Sequence, residues 1–199
     1  MIPIPSYTDA FDLAIYATMW HEVGPHWETE PQFSPSDPDI QAGLCSTSLQ
    51  RKKTGFVEYP GFPFATKKLG IVRSIHSDAG DPRDLTYDGC IALHEQHLWV
   101  THGIGAFDRP IAIQAFNLSV LWGAEIGLEL VNKAQQATGL SSSGQLSAQQ
   151  VELCFAVSEQ AHAFIDVTCR PSNASRKELG PVWRARVDEV TSFAAQYVT

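Results

Sequence analysis

The stretch from residue 25 to 64 limits the possible folds more than any other feature of the sequence. Pro25, Pro31, Pro35, Pro38, Pro60 and Pro63 all fall in it, among frequent Ser, Thr and Gly. Proline has no amide N–H and clashes with the preceding helical turn, so no long helix crosses such a stretch, and central strands exclude it too. The segment is expected to be a long, irregular excursion, with short strands around Gly55 to Tyr59. Loops of this length within a domain are usually functional.

Helical periodicity dominates on both sides of it. Residues 9 to 24 read as a helix: Asp9 is a natural N-cap, Phe11, Ile15 and Met19 recur at a spacing of four, and Pro25 ends it. Asp84 or Thr86 can cap a second helix running to about Val100, with Ile91, His94 and Leu98 on one face. After a turn at Gly103 to Gly105, Pro110 opens a helix through Leu121, broken at Gly123. Residues 124 to 138 form the next, with Ile126, Leu130, Val131 and Ala134 inward and Gly139 as its stop. Ser147 to Gln150 spells a capping box, followed by a stripe of Val151, Cys154, Phe155, Ser158, His162 and Ile165. Gly180 and Pro181 supply an N-cap and a first-turn proline for the last helix. Strands do not alternate with helices, which argues against a doubly wound α/β fold. The expectation is a mainly α fold, a single domain over 1–199 with 25–64 inserted after the first helix.

Composition narrows the function classes. The chain has 199 residues, 44% hydrophobic and 18% charged, enough apolar content for a folded core. Fourteen Lys and Arg against 22 Asp and Glu leave a charge of −8. A broad nucleic-acid-binding face needs clustered cations, so no nucleic-acid partner is expected. No 18-residue stretch is free of charges and breakers, so no stable membrane insertion is expected either. The first residues lack the basic and apolar regions of a Sec signal. Synthesis in the cytoplasm without a Sec signal is therefore expected. Of four cysteines, Cys90 and Cys154 fall on apolar helix stripes and read as buried thiols, while Cys45 and Cys169 fall in loops. None has the CxxC spacing of a zinc ribbon.

Glu22 stands out. Phe11, Ile15, Met19 and Glu22 are separated by four, four and three residues, so the carboxyl points the same way as the core. A carboxyl that loses solvation is pushed toward its neutral form, and a neutral carboxyl can protonate a leaving-group oxygen. Glycoside cleavage uses that chemistry. The plainer reading is a helix-end carboxylate facing water or a nearby cation.

A series of short motifs bears on the choice. Phe11, ten residues, then Glu22-Val23-Gly24 is followed by Thr66-Lys67-Lys68-Leu69-Gly70-Ile71, then by Leu85-Thr86-Tyr87 with His97-Leu98-Trp99. Phe116-Asn117 with Val120, Leu121, Trp122 and Gly123 comes next, then Ala137 to Leu140, and finally Gly180 to Val187 with Trp183 and Arg186. In order and spacing, over nearly the whole chain except 25–64, these segments resemble the glycoside hydrolase family 108 peptidoglycan hydrolases. That family comprises phage-type N-acetylmuramidases and secretion activators, with Glu-Gly-Gly at the end of the first helix. The resemblance implies a lysozyme-like fold, cleavage of the β-1,4 bond between N-acetylmuramic acid and N-acetylglucosamine, and Glu22 as the general acid.

The chain departs from the family pattern at several points. Val23 replaces the second glycine, Leu121 replaces an Asn, and Gly61-Phe62-Pro63-Phe64 stands where the family has Asp-Gly-Gly before the Thr. A carboxylate that activates water must then come from the insertion. Glu28, Glu30, Asp37, Asp39 and Glu58 are candidates, and Glu58 ranks first because it lies closest in sequence to Thr66. Thr66 would position a water or that carboxylate. Loop aromatics can stack on sugar rings, and Trp27, Tyr59 and Phe62 are the expected substrate-binding residues. Trp20, Trp99, Trp122 and Trp183, on helices, are expected in the core.

Other chemistry has less support. His94-Glu95-Gln96-His97 spaces its histidines three apart, whereas a zinc protease helix needs four. The histidines read as surface and helix-end residues, and no metal or cofactor is expected. Ser141 to Gly144 lacks the serine-hydrolase elbow. The expected function is therefore peptidoglycan hydrolysis by a phage-type lysin or an exported antibacterial effector. It would act in the periplasm or at the wall after non-Sec export or lysis. Peptidoglycan is the expected partner, and an immunity or inhibitor protein would follow from a toxin's biology. The alternative is a catalytically inactive glycan-binding or secretion-assisting protein.

Overall fold

A computed structural model describes residues 1–22, 56–57, 67–68, 71–72, 87–173 and 176–198. The described chain is mainly helical. Its order is α1 (Ala10–Glu22), β1 (Phe56–Val57), β2 (Lys67–Lys68), β3 (Ile71–Val72), α2 (Tyr87–His94), a π-helical stretch (Glu95–Val100), a short 3-10 turn (Ile104–Ala106), α3 (Arg109–Trp122), α4 (Ala124–Thr138), α5 (Ser147–Thr168), α6 (Gly180–Ala194) and a closing 3-10 turn (Ala195–Tyr197). The chain divides into two compact units, Met1–Thr18 with His97–Thr199, and Met19–Gln96.

In the first unit α3 is the hub, packing against α4, α5 and α6. Every residue from Pro110 to Ser119 is buried, so α3 has no solvent face over most of its length. Asp108 caps α3 through its backbone, its carbonyl accepting from the Ile111 and Ala112 amides. Its carboxylate instead accepts from Gln150 Nε2 at 2.8 Å, which ties the start of α3 to α5. Gly123 separates α3 from α4 with φ of 92°, a region disfavoured for residues with a Cβ. The break at Gly123 and the stop of α4 at Gly139 fall where the sequence places them.

Close helix contact depends on one missing side chain. A Cβ on Gly127 of α4 would lie 2.7 Å from both the backbone N and the Oγ of Ser119. Only glycine lets α4 approach the backbone of α3 so closely. The rest of the buried face of α4 is Ala124, Leu130, Val131 and Ala134, three of them predicted from spacing; the fourth, Ile126, is only half-buried.

Two expectations about α5 need correction. The capping box is displaced by one residue: Leu146 is the N-cap, and its amide donates to Gln149 Oε1 at 3.4 Å, while Gln150 bonds Asp108. Leu146 has no side-chain acceptor, so only half of the box forms. The buried face is also rotated from the expected stripe. Leu153, Cys154, Ala156, Val157, Ser158, Ala161 and Ile165 are buried, whereas Phe155 is 54% exposed. The cause is that α5 touches α3, α4 and α6, so its buried arc is wider than one stripe. At α6, Leu179 is the N-cap and Gly180 the first helical residue, again one residue from expectation.

Aromatic and polar side chains then knit the unit together. Phe11, Trp99 and Phe116 form a mutual cluster with centroids 5.4, 5.9 and 6.1 Å apart. Trp122 meets Phe164 at 5.0 Å and Trp183 at 5.7 Å. Of the helix tryptophans expected in the core, Trp183 is buried, whereas Trp20, Trp99 and Trp122 are only half-buried, Trp99 and Trp122 packing on the core from its edge. Arg186, 2% exposed, donates from Nε to Asn117 Oδ1 at 2.9 Å. Four segments singled out as motifs therefore meet in the core: Phe11 with Trp99 and Phe116, and Asn117 with Arg186. At the surface between α5 and α6, Arg184 pairs with Asp166 and His162 Nε2 lies 2.9 Å from Asp188 Oδ1, off the direction of a good hydrogen bond. Arg184 holds the Asp166 carboxyl below its ordinary range.

In the second unit the described strands form one antiparallel sheet in the order β1-β2-β3, with Val57 opposite Lys67 and Lys67 opposite Val72. The short strand expected around Gly55 to Tyr59 is present as β1.

Candidate active site

The site begins with α1. Asp9 caps it as expected: its Oδ1 accepts from the Phe11 amide at 2.8 Å and the Asp12 amide at 3.3 Å. The helix is then buried on nearly every side. Between Phe11 and Glu22 only Asp12 is exposed and only Trp20 half-buried. Asp12 sits beside Asp9, and desolvation together with that second charge raises its carboxyl above the ordinary value.

Glu22 is 8% exposed, and Phe11, Ile15 and Met19 on the same stripe are buried as well. The expectation that this carboxyl faces inward is met. The stripe is not what distinguishes it, because Leu13, Ala14 and Ala17 on other faces are also fully buried. What distinguishes the last turn is its chemistry. Thr18 at 0%, His21 at 8% and Glu22 at 8% place polar groups where the earlier turns hold apolar ones. Thr18 and Glu22 are four residues apart and so lie on one face, one turn apart. Glu22 is the last residue of α1 and so belongs to its carbonyl end. That end carries partial negative charge, which disfavours a nearby carboxylate.

α2 supplies two more buried ionisable groups. Cys90 is 0% and His94 1% exposed. The burial of Cys90 follows its place on an apolar stripe. The histidines are expected at the surface and at helix ends; His21 and His94 do lie in the last turns of their helices, but both are buried rather than at the surface. His94 follows Cys90 by four residues and Ile91 by three, and this spacing is the signal that places it inside. His97 lies half-exposed in the π stretch, so the His94–His97 pair does not share one environment. No group of three or more His, Cys, Asp or Glu among the described residues is placed to hold a metal ion. No helix among them is long and apolar enough to cross a membrane.

Glu58, Thr66, Trp27, Tyr59 and Phe62 lie outside the described residues, as do Glu28, Glu30, Asp37, Asp39 and Cys45. The described neighbours of two of them are joined, since Val57, which precedes Glu58, pairs with Lys67, which follows Thr66.

Cys154 of α5 is not a candidate nucleophile. Burial pushes the Cys154 thiol up to about 12, which leaves essentially no thiolate at neutral pH. Comparisons with protein-family models, with curated proteins and with solved structures each return no match to this chain.

Proposed function

We propose that this chain is a peptidoglycan glycoside hydrolase of the muramidase type, with Glu22 as its general acid. The observation that carries the reading is a carboxyl only 8% exposed in the last turn of the first helix. A protonated carboxyl is what a leaving glycosidic oxygen requires, and a position withdrawn from water is the kind of place where a general acid sits. The order of motifs along the chain supports the same reading, as does the meeting of four of them in one core. In that core the fold would be lysozyme-like, with 25–64 as an insertion bringing further site residues.

The proposed reaction runs as follows. Glu22 gives its proton to the glycosidic oxygen while the bond from that oxygen to the anomeric carbon of N-acetylmuramic acid breaks. Positive charge develops at the anomeric carbon and ring oxygen. Water adds to the anomeric carbon and loses its proton to a carboxylate, for which Glu58 is the first candidate, with Thr66 orienting the water. Trp27, Tyr59 and Phe62 would form walls against the flat faces of the sugars. Delivery to the wall by non-Sec export or lysis, and an inhibitor or immunity protein that covers the cleft, complete the proposal.

The test is digestion of purified sacculi followed by mass analysis of the released fragments. Fragments ending in reducing N-acetylmuramic acid are expected. Reducing N-acetylglucosamine ends would keep the enzyme class and overturn the bond. Intact sacculi that nonetheless retain the protein would favour an inactive glycan-binding or secretion-assisting role, the reading that the lost Asp-Gly-Gly segment supports.

A further inference from the structure

We draw no further inference here: the strongest candidate, the outward face of α5, where Phe155 is 54% exposed between the exposed Glu152 and Glu159, carries nothing because nothing in the structure shows what covers it.

Discussion

α1 and α3 are both buried on nearly every side, yet they place their polar residues differently. In α3 the buried polar groups are neutral and stitch the bundle: Gln114 reaches α5 and α6, Asn117 receives Arg186, and Ser119 returns to the Ala115 carbonyl at 2.7 Å. In α1 the interior is apolar until the last turn, where Thr18, His21 and Glu22 come together in sequence. A buried amide can be satisfied by one or two neighbours and left there. A buried carboxyl is costlier to ionise than a buried amide is to satisfy. Under the proposed function, the polarity of α3 serves architecture and that of the last turn of α1 serves chemistry.

Substitutions can break or sharpen that contrast. The largest stability effect is expected at Phe116, fully buried in the Phe11–Trp99 cluster. Phe116→Ala should cost about 3–5 kcal/mol in urea unfolding. Gly127→Ala comes next, because its Cβ meets backbone rather than a flexible side-chain tip. Overpacking of this kind costs about 1–3 kcal/mol, seen as a lower midpoint at unchanged slope. Asp9→Ala removes the cap that serves two amides of α1, for about 1 kcal/mol. The smallest effect is expected at Lys133, whose pair with Glu129 is an i,i+4 surface contact with both side chains more than half exposed. Lys133→Ala should change stability by less than about 0.5 kcal/mol.

Two further tests use titratable groups. The raised carboxyl of Asp12 is more comfortable protonated in the folded chain than in the unfolded one. Its contribution is therefore fully present below its unfolded value and lost as pH rises through the folded one. Asp12→Asn should raise the melting temperature slightly at neutral pH, with the advantage shrinking as pH falls below the carboxylate range. Thiol labelling of the native protein should reach half-buried Cys169 before Cys90 or Cys154, which react only after unfolding.

Much of the helical frame was legible because its punctuation is local. Pro110, Gly123, Gly139 and Pro181 act through their own backbone chemistry, and the helix ends fall within a residue or two of them. The face of α4 was legible because α4 has one buried side. That of α5 was not, because three neighbouring helices bury more than one stripe and leave Phe155 outside. The displaced capping box follows from a competing tertiary bond: Gln150 is taken by Asp108, forty-two residues away. At the candidate site the burial of Glu22 was readable from spacing, whereas that of His94 required following the Cys90 face. The Asn117–Arg186 bond was not readable at all, since nothing local to either residue names its partner.

The claim that the last turn of α1 serves chemistry rests on Glu22, and one paired measurement addresses it. Wild type and Glu22→Gln are compared for the rate of reducing-end release from sacculi, with circular dichroism and unfolding midpoints recorded for both. Glutamine keeps the shape and removes the transferable proton. The account predicts a loss of about 10²–10⁴-fold in rate, the usual worth of a general acid, with folding unchanged. A folded Glu22→Gln variant that releases ends as fast as an active wild type would contradict it.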